Sequence, residues 1–150
     1  MPDWALDRCR EGIEKCGWNA TGTVSMNDRP YVYTTGLTTH VNHPELAVAG
    51  LDPKVGWALL RAAVAKIESG TPMEPGTLYE GIAEGFVVRF RNVTLPYCRL
   101  SLAVTERYYG ASVPFRQLTW PDKYGAFPGE HDCGEWIAAV QDIGGVGDHA

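Results

Sequence analysis

The stretch Glu45-Leu46-Ala47-Val48-Ala49-Gly50-Leu51-Asp52-Pro53 sets a short apolar run directly against a helix start. Residues 45–51 read as a strand. Asp52 offers an N-cap carboxylate, and Pro53 suits the first helical position because its missing N–H would have no partner there. The helix is expected to run to about Ser69 and stop at Gly70. Val55, Leu59, Ala62 and Ala63, with Ile67 nearby, form its expected sheet-facing side. Trp57 is expected in the core.

Working outward, Leu6, Cys9, Ile13 and Cys16 recur at helical spacing and predict an amphipathic helix ending at Gly17. Residues 21–26 and 31–35 are β-branched or aromatic, with 27–30 as a four-residue hairpin loop. Residues 36–44 read as a loop and 71–76 as a Pro/Gly turn. Residues 77–82 and 86–93 read as strands, with Arg89 and Arg91 suggesting a wet face. Leu95-Pro96 is expected to open a third helix, with Leu100, Ala103, Val104 and Tyr108 at helical spacing and Gly110 ending it. Residues 113–120 form the last expected strand. The order α-ββ-β-α-ββ-α-β has no βαβ repeat. It predicts one α+β domain over residues 1–142, a mostly antiparallel sheet with about three packed helices. Residues 143–150 are expected to be a flexible Gly-rich tail.

The chain has 150 residues, 45% of them hydrophobic, which suits one folded domain. A net charge of −5 argues against sequence-independent nucleic-acid binding, which needs a basic face. The first residues lack the pattern of a signal peptide, and no window approaches 18 apolar residues. The expected compartment is the cytoplasm, with no membrane contact and the four cysteines reduced.

Chemistry is concentrated in two places. His43-Pro44-Glu45 lies where a loop meets a strand, and alternation puts His43 and Glu45 on one strand face. They could serve as base and orienter, or they could simply build a turn. Gln117-Leu118-Thr119-Trp120-Pro121-Asp122, followed by Gly125, Phe127-Pro128 and Glu130, reads as a strand ending in a shaped turn. There Asp122 either bonds its own backbone or acts as an acid. His40, His43, His131, Asp132 and Cys133 lack diagnostic metal spacing, so no metal is expected. No thiol is expected to be catalytic, and neither a nucleophile elbow nor a phosphate loop is present. Rings such as Tyr31, Tyr33, Tyr109, Trp120 and Tyr124 are more polar-tipped than a core requires. That suits an interface, a stack for a flat ligand, or half-buried sheet positions.

Several blocks, in order, resemble the bacterial DUF4262 family, a domain of unknown function. They are Tyr33-Thr34-Thr35-Gly36-Leu37-Thr38, His43-Pro44-Glu45-Leu46, Gly50-Leu51, Glu74-Pro75-Gly76, Tyr108-Tyr109-Gly110 and the block from Gln117 to Glu130. The resemblance covers roughly residues 19 to 133. Gly129 departs from it, since the family usually has tryptophan there. The resemblance implies a fold unit and candidate positions, and it specifies no reaction or cofactor.

Three functions fit these readings. The first is a small binding or protein-interaction domain. Its groove would lie between the 36–45 loop and the 117–130 turn, lined by Tyr33, Gly36, Thr38, His43, Glu45, Gln117, Trp120, Asp122 and Phe127. The occupant would be a small molecule or a protein, with homo-oligomerisation open. The second is an enzyme using His43 with Glu45 or Asp122. The third is a flavin- or nucleotide-binding barrel. The first is preferred, and it expects His43, Glu45, Trp120 and Asp122 to lie close together.

Overall fold

Asp52 starts the longest helix as its residue type dictates: its carboxylate accepts from the Lys54 N–H at 2.9 Å, with Pro53 in the first turn. In the computed structural model, which describes residues 3–24, 29–144 and 146–147, this helix is α3, Pro53–Glu68. It is preceded by α1 (Asp3–Cys16) and the single turn α2 (Leu37–His40), and followed by α4 (Ala103–Tyr109) and α5 (Glu135–Val140). The strands are β1 (Asn19–Val24), β2 (Pro30–Thr35), β3 (Glu45–Ala49), β4 (Leu78–Ala83), β5 (Phe86–Val93), β6 (Phe115–Thr119) and β7 (Val146–Gly147).

One sheet runs β1-β2-β3-β6-β5-β4, and β7 pairs with the end of β5. Among the described residues every strand pairing is antiparallel except β3 with β6. The fold is a single α+β domain, as the element order predicts. Alternation along the strands makes two cores. On one face Val32, Leu46, Val48, Phe90 and Leu118 meet Leu59, Leu60, Ala63 and Val64 of α3. On the other, Tyr31, Tyr33, Ala47 and Ala49 meet Cys9 of α1 and Val104 of α4.

The packed face of α3 keeps Leu59, Ala63 and Ile67 as expected and departs from the expectation in its first turns. Val55 is 49% exposed and Trp57 is 44% exposed, while Gly56, Leu59, Leu60, Ala63, Val64 and Ile67 are buried. The cause is Gly56. A Cβ there would sit 3.1 Å from Val48 Cγ1 and 3.2 Å from Val32 Cγ2, so the helix approaches the sheet over a residue without a side chain. Hydrophobic periodicity gives such a position no weight.

Other elements also depart from expectation. The third helix begins only at Ala103. Leu95–Tyr97 form one 3₁₀ turn, after which the chain extends at Cys98. The intervening backbone is committed elsewhere: the Arg99 N–H donates to the Ile143 carbonyl at 2.8 Å, and the Ser101 carbonyl accepts from the Tyr31 hydroxyl at 2.9 Å. Cys16 is exposed instead of lying on the buried face of α1. Arg91 is buried while Arg89 on the same strand face is half-buried, so that face is wet only in part. Ile143, where the expected tail begins, is 1% exposed, and 146–147 pair with β5. Residues 27 and 28 of the expected hairpin loop, and 145 and 148–150 of the expected tail, lie outside the described residues.

Truncation of Leu59 to Ala is expected to cost about 2–5 kcal/mol, because the side chain is buried against the sheet. Val55→Ala is expected to stay within about 0.5 kcal/mol, and Asp52→Ala to cost about 1 kcal/mol through the lost cap. Urea unfolding midpoints at constant slope distinguish the three.

Candidate functional site

After β2 the chain turns at Gly36, whose φ is 115°. A side chain there would strike the Gly17 carbonyl oxygen at 2.6 Å, so both the conformation and the packing require glycine. The turn leads into α2, whose first amides have no partner within the helix. Glu45, across the turn at the start of β3, takes them. Its carboxylate accepts from the N–H groups of Gly36 (3.3 Å), Leu37 (3.2 Å) and Thr38 (3.0 Å). The hydroxyls of Thr34 (2.7 Å), Thr38 (2.9 Å) and Tyr109 (2.8 Å) also donate to it.

Glu45 has no exposed surface. Burying a carboxylate is costly unless its lone pairs are satisfied, and these six donors satisfy both oxygens. The positive end of the helical turn adds to the attraction. With both oxygens engaged and no access to solvent, Glu45 anchors the turn. Gly36, Thr38 and Glu45 therefore do converge, but on each other.

His43 is also committed. Its Nδ1–H donates to the Pro44 carbonyl at 2.8 Å, and its Nε2 accepts the Met73 N–H at 3.0 Å, which fixes a neutral tautomer. Burial pushes the imidazole pKa below its ordinary value, and the neighbouring Arg116 acts in the same direction. Arg116 donates to the Met73 carbonyl at 2.8 Å. Both backbone groups of Met73 are thus held by side chains from other elements.

The C-terminal block is a second constellation. Asp122 Oδ1 accepts from the N–H groups of Tyr124 (2.9 Å) and Ala126 (3.0 Å), and Oδ2 accepts from that of Gly134 (3.0 Å). The bonds from Ala126 and Gly134 lead in holding this carboxyl below its usual range. Phe127 is buried under the Arg89 guanidinium, 4.6 Å from its ring centre, and its N–H donates to Glu130 at 2.6 Å. Gln141 joins the block to the sheet. It accepts from the Trp120 N–H at 2.9 Å and donates to the Trp120 carbonyl at 2.9 Å. Its own carbonyl accepts from Gln117 at 2.6 Å and from Arg91 at 3.1 Å.

These constellations do not form one site. Parallel pairing sets Glu45 opposite Phe115. Trp120 lies five residues further along, about 17 Å at the usual rise per residue. The 36–45 loop and the 120–134 turn therefore leave opposite ends of the paired strands, and the expected meeting of His43 and Glu45 with Trp120 and Asp122 does not occur. A parallel pair was not expected, and it is what reverses the geometry. Tyr33 lies apart from both, on the α4 face, where its hydroxyl accepts the Val104 N–H at 3.2 Å. Burial pushes its pKa up to about 12. Of the nine expected site residues, all but Thr38 and Asp122 are buried.

Sequence reasoning missed the partners: Thr34, Tyr109, Met73, Arg116 and Gln141. Tyr109 carried a signal, since it is a polar-tipped ring next to a helix-ending glycine. A buried glutamine such as Gln141 carries none. Among the described residues, no cluster of three or more His, Cys, Asp or Glu could hold a metal ion, and no helix is long and apolar enough to cross a membrane.

Fold and geometry define a one-domain α+β protein whose strand-end turns are held by polar side chains. The family described as a domain of unknown function, DUF4262, matches residues 12–134, and the chain belongs to that family. No curated protein and no solved structure matches it.

Glu45→Gln places an amide NH₂ among donors, so at least about 3 kcal/mol of stability should be lost at neutral pH. Urea unfolding checks this. For His43 the unfolded state takes up a proton near the ordinary histidine value of about 6.5, while the native state resists until lower pH. Protons therefore favour unfolding, and stability should fall as pH drops from about 6.5 toward the lowered native value. A His43→Gln variant should lose that part of the pH dependence in melting-temperature series.

Proposed function

We propose that this chain is a cytoplasmic protein-interaction domain. The single observation that carries the reading is the distribution of tryptophan. Of five tryptophans, Trp4, Trp57 and Trp136 are 60%, 44% and 68% exposed. Meanwhile the polar residues suited to catalysis are spent on holding turns. Exposed indoles are uncommon on surfaces without partners and are enriched at the centres of interfaces. The acidic net charge further favours a protein partner over nucleic acid. The four unpaired thiols, Cys9, Cys16, Cys98 and Cys133, are compatible with a reducing compartment.

The test is affinity capture from extract of the source cells with wild type and with Trp4→Ala, Trp57→Ala and Trp136→Ala, alongside metabolite profiling of the same extract. One defined protein should be retained by wild type and lost from at least one of the three variants, with all of them folded. Depletion of a metabolite by wild type, absent with a folded Asp122→Asn variant, would replace the reading with an enzymatic one.

A further inference from the structure

The two edges of the sheet are built differently. Strand β4 carries an irregular register between Tyr79 and Ala83, a glycine at φ 79° and the charge of Glu80. Such features obstruct the addition of another strand. Strand β1, Asn-Ala-Thr-Gly-Thr-Val, has no charge, no proline and a continuous six-residue register with β2. Its last three residues are exposed.

The register also says which backbone groups are open. The Pro30 carbonyl accepts the Gly50 N–H, so Pro30 and, by alternation, Val32 direct their backbone groups toward β3. Their β1 partners, Val24 and Gly22, then point N–H and C=O away from β2, and Ala20 follows by the same alternation. The N–H groups of all three and the carbonyls of Gly22 and Val24 thus face one open side, while the Ala20 carbonyl accepts from the Asn19 side chain at 3.4 Å. Among the described residues no strand pairs there.

The surroundings form a trough along this edge. Toward α3, Ala20 and Gly22 leave a cavity of about 480 Å³ walled by Pro53 and Trp57. Toward α1, the same two residues border a cavity of about 310 Å³ beside Trp4 and Arg8. Each wall carries a cation stacked on an indole: Arg8 is 5.9 Å from the Trp4 ring centre, and Arg61 is 5.2 Å from that of Trp57. The cations lining these cavities and the adjoining one between α1 and α3 are Arg8, Lys54 and Arg61. The one acid there, Glu68, is hydrogen-bonded to His40 at 2.9 Å. In a chain of net charge −5 this edge is locally basic.

We propose that the open edge of β1 docks an extended acidic segment of a partner protein, which adds to the sheet as a further strand between the Trp4–Arg8 and Trp57–Arg61 walls. The inference rests on the interaction reading and gives it a place and a chemistry. Main-chain bonds to Ala20, Gly22 and Val24 hold the added strand. Because its side chains alternate, carboxylates on either of its faces meet an arginine, and apolar residues meet an indole. A second copy of this chain is the poorer occupant, since edge-to-edge pairing would bring two sets of these cations together.

A displayed library of random ten-residue peptides, selected against the full chain, tests the proposal. The enriched sequences should lack proline and carry several Asp or Glu with at least one apolar residue. A synthetic peptide of that sequence should slow amide exchange at Ala20, Gly22 and Val24. It should bind at least about 10-fold more weakly to an Arg8→Glu/Arg61→Glu variant, whose changes lie on exposed helix positions. Gly22→Pro should weaken binding comparably, since it removes an outward N–H. A Cβ added at this position meets Pro53 at an ordinary 3.6 Å.

Any of four results overturns the edge: no enrichment, equal binding to the charge-reversed variant, exchange unchanged along β1, or a wild-type dimer that Gly22→Pro dissolves. If Gly22→Pro and the charge-reversed variant still capture the wild-type partner from extract, the interaction reading survives and the β1 edge does not. If wild type captures no partner, the interaction reading itself fails.

Discussion

A buried carboxylate organises one end of this fold. Glu45 has no solvent around it, so its charge is tolerable only while its donors stay in place. Those donors come from the end of β2, the first turn of α2 and the end of α4. One side chain thereby fixes the exit of one strand, the entry of the next and the docking of a helix on the opposite face. The geometry is mutually enforcing. Gly36 must be glycine because the turn passes tightly against the Gly17 carbonyl, and that tight turn is what aims three amides at one carboxylate.

The same device recurs around the sheet with different chemistry. A neutral imidazole holds Met73, a solvent-facing aspartate gathers three amides in the turn after β6, and an uncharged glutamine ties Trp120 to the segment after α5. In each case a polar side chain satisfies backbone groups that secondary structure leaves unpaired. Residues that look like acid–base machinery are thus the means by which irregular connections are kept in register. The exposed indoles and the unpaired edge of β1 lie apart from these turns.

Much of the fold was legible where a physical signal is local. Asp52-Pro53 announces α3, and β-branched alternation announces β2 and β5. What was hidden depends on partners distant in sequence. The turn α2 is four residues long and is held by Glu45, which no periodicity reveals. Strand β7 has two residues and exists through pairing with β5. The parallel pairing of β3 with β6 is a property of the whole sheet, and missing it turned two separate turns into one imagined groove. In α3 Leu59, Ala63 and Ile67 pack as read, but Val55 and Trp57 were misplaced because a glycine, invisible to a hydrophobic count, sits at closest approach. Individual residues of the two turns stand out by their types and setting. Their roles do not, because a saturated carboxylate and a reactive one have the same letter in the sequence.

Native-state hydrogen exchange at the amides of Gly36, Leu37 and Thr38 tests the structural role of Glu45 most directly. These groups lie at a loop-to-helix boundary, where exchange is ordinarily fast. Bonded to a buried carboxylate, they should exchange as slowly as the Leu46 amide, which the Thr34 hydroxyl holds inside the sheet. Fast exchange at all three, with Leu46 protected, would contradict the account and return Glu45 to the list of residues free to act.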